Sequence, residues 1–253
     1  MEANKISVVI VSFYRVNDLR QSLQSLHGID TQLQVVVVDN GSRDGSANLS
    51  DDFPAVRFSK LPRNFGLTRA LNIGIRAAEG DYILLLHDDV LIDQPSVIAL
   101  AEFLENRPDV GAVCPTFNAP QIRPLPTPAN PDPPFVPTPP EAEVAAECVI
   151  GAAIMVRTPF LRSMGHIDER YGNYGSAIEI CKQIQSSGRK LIVLDSISAV
   201  HGSALSPMPA GSLKGDRATG TAAFLGKHYG FGASLAYRLK TVNLGGTKID
   251  GSG

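Results

Sequence analysis

Four consecutive valines, Val35 to Val38, follow an equally apolar run earlier in the chain, Val8-Val9-Ile10-Val11. Strands that are apolar throughout, rather than alternating, bury both faces and suit a parallel sheet covered by helices on either side. The first two runs extend over 6–13 and 33–39, and three more occupy 55–60, 81–86 and 110–115. Helical patterns separate them. Val16, Leu19, Leu23 and Leu26 recur at helical spacing, with Asn17 as the expected cap and Gly28 as the stop. Leu67, Ala70, Leu71, Gly74, Ile75 and Ala78 form a cleaner stripe, and a third helix is predicted from about Pro95 to Arg107. The order βαβαβαβαβ predicts an α/β chain with a doubly wound, mostly parallel sheet flanked by helices.

The first regular region covers 1–115. A proline-dense stretch follows at 116–142, opening TFNAPQIRPLPTP, and predicts an extended, partly mobile loop. Regular patterning resumes over 143–230: a strand at 146–156, helices at 158–165 and 175–188, a strand and turn at 190–201, and a last helix at 217–230. Residues 231–253 are read as a tail whose Gly-rich end is expected to be disordered.

Composition narrows the function classes. With 253 residues, 43% hydrophobic and 19% charged, the chain can bury a large core and is too apolar for disorder. Twenty-three basic against 25 acidic residues leave −2, no bulk attraction for nucleic acid. No apolar run approaches the roughly 20 residues of a membrane span, and MEANKISVVIVSFYR lacks the features of a signal peptide. Cys114, Cys148 and Cys181 are odd in number and widely spaced, so neither disulfides nor a zinc site is expected, and the compartment is expected to be the cytoplasm. VSFYRVN holds no glycine, which argues against a dinucleotide fingerprint. GTAAFLGKH (220–228) is one residue too long for a phosphate-binding P-loop and lacks Ser or Thr after its lysine.

Open α/β sheets bind ligands at the carboxyl ends of their strands. There the sequence places Asp39 and Asn40 directly after four valines, and the triplet His87-Asp88-Asp89 directly after DYILLL. A carboxylate such as Asp39 can accept a hydrogen bond from a pyrimidine ring N–H; an ordinary Asx turn is the alternative. Adjacent acids are costly unless a cation or several donors neutralise them. A hard divalent ion takes one or two carboxylates plus phosphate oxygens, whereas helix capping is the alternative for HDD. His201, ending the strand SISAVH, is either structural or completes a metal shell begun by Asp89.

SVVIVSFYR, VVVVDNGSRDGS, RNFGLTRALNIGI, GDYILLLHDDV, IGAAIMVRTPFLRSMGHIDERY and the late AVH occur in this order. As a set they resemble family 2 glycosyltransferases of the GT-A fold, particularly the rhamnosyltransferase-like branch, over roughly residues 5–230. The resemblance implies a nucleotide-sugar donor (UDP- or dTDP-sugar), Mn²⁺ or Mg²⁺ on its diphosphate, and transfer with inversion to a carbohydrate, lipid-linked or small-molecule acceptor. It makes 1–115 the nucleotide-sugar-binding half and 143–230 the acceptor-binding half of one domain. By position, Ser12, Tyr14 and Arg15 fall where the first loop wraps the nucleotide, and Asp39, with Asn40, where the base is read. Asn64, Gly66, Arg69 and Asn72 fall on the segment lining base and diphosphate. His87 and Asp88 join the nucleotide-sugar site, and Asp89 and His201 fall on the metal ligands. Gly151, Ala152 and Asp168 fall on the sugar and acceptor side.

One departure bears on activity. The family carries Glu-Asp at the start of the helix that here reads YGSAIEIC, and the Asp is the base that deprotonates the acceptor hydroxyl. Ser176 and Ala177 stand in that place. Alanine accepts no proton. Three explanations remain: an engineered inactivation at Ala177, Glu179 as substitute base, or a natural binding protein that transfers nothing. Glu179 lies about 200° around the helix from 177.

Overall fold

The computed structural model describes residues 6–26, 33–202 and 210–245. The chain runs β1 (Ile6–Ser12), α1 (Val16–Ser25), β2 (Leu33–Asp39), α2 (Leu49–Asp52), β3 (Arg57–Lys60), α3 (Leu67–Ala77), β4 (Tyr82–His87) and β5 (Val90–Leu91). Then come α4 (Gln94–Asn106), β6 (Val110–Phe117), β7 (Ile122–Arg123), β8 (Glu143–Ala146), β9 (Cys148–Val149), β10 (Ala153–Arg157) and α5 (Thr158–Ser163). It ends with α6 (Ser176–Ser186), β11 (Lys190–His201), α7 (Ala210–Tyr229) and α8 (Phe231–Gly245).

The main sheet has the order β3-β2-β1-β4-β10-β6-β11-β5, with β8 added on β11. Strands β3, β2, β1 and β4 are parallel, as are β6 and β11. All seven residues of β1 are buried, which is why its side chains do not alternate. Facing sides of the sheet belong to two apolar clusters. Val8, Ile10, Val35 and Val37 pack with α1 and α4, whereas Val9, Val11, Val36 and Val38 pack with α3 and its neighbours. Gly74 lets α3 sit close to the sheet, since a Cβ there would lie 2.3 Å from Val9 Cγ1.

Several elements differ from the sequence reading. The run 146–156, expected as one strand, divides into the end of β8, then β9, a turn and β10. β10 enters antiparallel between β4 and β6, so the sheet is mixed at its centre. Hydropathy cannot register this, because a buried strand is equally apolar in either direction. α1 is not capped by Asn17: Arg15 stands at the cap, and Asp44 of the β2–α2 loop accepts from Val16 N at 3.0 Å. The helix ends by Leu26, and Gly28 lies outside the described residues.

The proline-dense segment is not a free excursion. Gln121, Arg123 and Leu125 are buried. β7 pairs with β9, Ile122 bridges to Val136, and the Gln121 amide links Phe117 N and Pro115 O. Residues 231–245, grouped with the tail in the sequence, form α8 against α7; the Gly-rich end from 246 lies outside the described residues.

Candidate active site

β1, β2 and β4 run in register, so Ser12, Asp39 and His87 all emerge at one carboxyl edge. Asp39 is 1% exposed. Its Oδ1 accepts from Ser42 N at 3.0 Å, closing the Asx turn, while its buried Oδ2 has no hydrogen-bond partner. A buried polar oxygen left without a partner is costly, and a bound donor N–H would relieve that cost. The Asx turn and an open acceptor therefore coexist in one side chain. Asn40 ties the next loop: its amide donates to Asn64 Oδ1 at 3.0 Å and accepts from Phe65 N at 3.0 Å. Gly66 caps α3 with φ +88°, donating to Asn64 Oδ1 at 2.8 Å. Tyr14 takes a left-handed φ of 55° without being glycine, its N–H bonded to Ser42 Oγ at 2.9 Å and the residue 42% exposed. Such strain persists only where the surroundings over-determine it.

The HDD triplet turns its side chains into two environments. Asp89 Oδ2 meets Arg15 Nη1 at 2.9 Å, and Asp89 Oδ1 lies 3.4 Å from His201 Nε2. β5 pairs antiparallel with the end of β11, with His201 opposite Val90; this pairing brings His201 back to the triplet. His87, Asp89 and His201 each offer one ligand atom, and all three atoms lie within 4.8 Å of one another. His87 was placed on the nucleotide-sugar side in the sequence reading; the structure puts its nitrogen in the same cluster as Asp89 and His201. Burial holds His87 down to about 4, opposed by Asp89, so its imidazole is neutral and able to ligate. Burial disfavours the charge on Asp89, but His201, His87 and Arg15 together outweigh it and keep the carboxyl below its usual range. Asp88 behaves oppositely. Burial raises it to about 7, against the pull of Ser12 and Arg15. One carboxylate and two imidazoles make a donor set that fits a divalent cation with open positions left for oxygen ligands.

A cavity of about 280 Å³ adjoins this edge, between the sheet, α3 and α6. Gly151, Ala177 and His87 line it together, as do Arg123 and Phe135 of the proline-dense segment and Tyr174. A Cβ on Gly151 would lie 2.7 Å from the Ala177 Cβ, so glycine keeps the backbone close to α6. Ala152 is buried, its carbonyl accepting from His87 N at 2.8 Å. Ser176 Oγ contacts Thr68 Oγ1 at 2.7 Å, pinning the start of α6 to the start of α3.

Other expected site residues are occupied elsewhere. Asn72 is buried and has both ends of its amide on the Ile167 backbone, at 2.8 and 3.0 Å, tying α3 to the 167 turn. Arg69 lies over the Phe65 ring, 4.7 Å from its centroid, and 3.9 Å from Glu169. Asp168 caps the turn at 169–171 through Arg170 N and pairs with the Arg170 guanidinium, which holds its carboxyl below the usual range. Glu179 is 1% exposed. It takes hydrogen bonds from Tyr171 Oη, Gln183, Lys227 and His228 at 2.5, 2.8, 2.6 and 2.7 Å. Burial alone would raise its pKa, yet these partners hold it down to about 2. So stabilised, and absent from the cavity wall, Glu179 is unsuited to serve as substitute base.

The sequence does not mark Arg123 and Phe135 as cavity residues, because a proline-dense stretch carries no periodicity that marks an inward face, nor Tyr174, which stands between elements just before α6.

A match to the family described as "Glycosyl transferase family 2" spans residues 7–162, more than half of the chain. The chain belongs to glycosyl transferase family 2. Among relatives of this chain, the uncharacterized glycosyltransferase YfnE of Bacillus subtilis (strain 168) is 34% identical over 101 residues, 38% of this chain and 25% of that one. A poly-beta-1,6-N-acetyl-D-glucosamine synthase of Staphylococcus epidermidis is 27% identical over 112 residues, 43% of this chain and 27% of that one. The matched region thus spans about a quarter of those relatives' length. Among solved structures, GalNAc-T7 with UDP, GalNAc and Mn²⁺ superposes with a TM-score of 0.68 at 15% identity, covering 88% of this chain and 48% of that one. The mannosyltransferase PcManGT of Pyrobaculum calidifontis, in complex with GDP-Man and Mn²⁺, gives 0.64 at 15% identity, covering 100% and 77%. At this identity the likeness shows the fold, which is the GT-A type. Among the described residues no helix is long and apolar enough to cross a membrane.

Proposed function

We propose that this glycosyltransferase binds a pyrimidine nucleoside-diphosphate sugar, UDP- or dTDP-linked, at the carboxyl edge of β1, β2 and β4, and transfers the sugar with inversion at its anomeric carbon. The observation that carries the reading is the buried, unpartnered Oδ2 of Asp39 beside the His87–Asp89–His201 donor set. The first fits a ring N–H of a pyrimidine base, and the second fits the cation of a diphosphate. Two imidazoles among three donors favour Mn²⁺ over Mg²⁺, which prefers oxygen ligands throughout. Two neighbours of this fold hold Mn²⁺, one with UDP and GalNAc and the other with GDP-Man, which supports the choice of ion. When bound, the cation supplies positive charge to a leaving diphosphate. Around it the chain's own residues do the rest: Asp39 orients the base, Arg15 offers a guanidinium beside the diphosphate position, and Gly151 and Ala177 bound the space for sugar and acceptor. On this reading residues 1–115 form the donor half and 143–230 the acceptor half, the donor is a hexose of the rhamnosyltransferase-like branch, and the reaction takes place in the cytoplasm.

Ala177 favours a second reading, a protein that binds nucleotide sugar without transfer. Both readings require donor recognition by Asp39. Asp39→Asn replaces the open acceptor with an amide that can present N–H where a ring N–H should enter. Calorimetric titration with UDP and dTDP should show at least tenfold weaker binding, with the Mn²⁺ dependence retained. Unchanged affinity would remove Asp39 from the base site.

A further inference from the structure

We infer that the acceptor is an oxyanion carried on an apolar group, a phosphate monoester or a carboxylate, and not an alcohol. The inference rests on the glycosyltransferase reading and names the substrate class of its acceptor cavity.

The cavity lacks a base. Ala177 lines it where a carboxylate would be needed, and no Asp or Glu lines it among the described residues. Glu179, two positions along α6, is turned into its own network with Lys227 and His228. His87, the one imidazole on the cavity wall, belongs to the metal-donor cluster. An alcohol hydroxyl, nearly as weak an acid as water at about 15.7, needs such a base to become a nucleophile. A phosphate monoester with a second pKa of about 6, or a carboxylate of about 4, arrives ionised.

The same wall carries a buried cation. Arg123 is 3% exposed, with its guanidinium 4.4 Å from the Phe135 ring centroid. Its Nη atoms bond Asp132 Oδ1 at 3.3 Å, Pro133 O at 3.2 Å and Tyr174 Oη at 2.8 Å, while its Nε–H has no hydrogen-bond partner. The Cys148 thiol also interacts with the guanidinium; a hydrogen bond with Cys181 and this cation lower the thiol's pKa. Asp132 also takes the Arg217 guanidinium, so the carboxylate beside Arg123 is shared between two arginines. A buried guanidinium that shares its carboxylate with a second arginine favours an anion at the cavity. Leu71, Leu85, Val149 and Ile154 supply the apolar remainder of the wall.

With such an acceptor the step balances without a proton. The acceptor oxygen forms the new bond to the anomeric carbon, the bond from that carbon to the diphosphate oxygen breaks, and the electron pair leaves on the nucleoside diphosphate. The oxyanion's negative charge reappears on the leaving diphosphate.

The test uses the full chain with Mn²⁺. UDP-glucose, UDP-N-acetylglucosamine and dTDP-rhamnose are first titrated by calorimetry. Whichever binds is then offered phenyl phosphate, phenylacetate and benzyl alcohol, with products measured by mass spectrometry. Transfer to phenyl phosphate or phenylacetate should be at least tenfold faster than to benzyl alcohol, and the preferred one of the two identifies the oxyanion. Ala177→Asp adds a negative charge and a base together. It should lower oxyanion transfer and raise benzyl alcohol transfer, each at least tenfold. Arg123→Gln should raise KM for the oxyanion at least tenfold without raising it for benzyl alcohol; if that variant fails to fold, the opposed responses of Ala177→Asp still decide. Faster transfer to benzyl alcohol by the unaltered chain, or donor binding with transfer to neither oxyanion, overturns the inference and leaves the donor reading standing. Failure of all three donors to bind defeats the glycosyltransferase reading instead.

Discussion

Asp89→Ala is expected to weaken Mn²⁺-supported binding of nucleoside diphosphate at least a hundredfold, about 2.7 kcal/mol. Asp89 is the one carboxylate of the three-residue donor cluster, and its removal leaves two neutral imidazoles facing a dication. The fold should survive. Arg15, which pairs with Asp89 at 2.9 Å, also lies 3.9 Å from Asp88 Oδ1 and 3.7 Å from Asp18, so its charge remains compensated. Titrations with and without Mn²⁺ check this: affinity should fall to the metal-free level. Retained Mn²⁺-dependent affinity would place the cation elsewhere.

Glu179→Ala should cost about 3 kcal/mol, the lower end for breaking a buried ion pair, because the Lys227 side chain is 34% exposed and can turn to water. For a chain of this size that corresponds to a melting temperature lower by about 6–12 °C. Its pH dependence has a defined sign. The folded carboxyl is held at about 2 against an ordinary 4.5, so its stabilisation is full above about 4.5 and disappears as pH falls through 2. The gap in melting temperature between the two proteins should therefore be largest near neutral pH and shrink between pH 4.5 and 2. A constant gap would mean that Glu179 acts through packing, not charge.

How much of this was legible in the sequence depends on the range of the interaction. β1, β2 and β4 stand out because burial on both faces makes each of them apolar without interruption, and a polar residue after such a run lies at the sheet edge. Asp39 and the HDD triplet were found on that ground alone. The mixed centre of the sheet was not, because the direction of β10 is decided by the path of the chain before it. The partners of Glu179 were also hidden, since Lys227 and His228 come from α7, far along the chain, and nothing in YGSAIEIC marks the first turn of α6 as buried and paired. Arg123 was hidden for a different reason. A lone arginine among prolines looks solvated, and its burial depends on Phe135, Tyr174 and Asp132 converging from other segments.

The central claim is that this edge of the sheet holds a pyrimidine nucleotide sugar through a divalent cation. It is tested most directly by calorimetric titration of the unaltered chain with UDP- and dTDP-sugars, in Mn²⁺ and again in excess chelator. Saturable binding in Mn²⁺ that is lost in chelator is the predicted result. Equal binding in both conditions, or no binding of any pyrimidine nucleotide sugar at millimolar concentration, would contradict it.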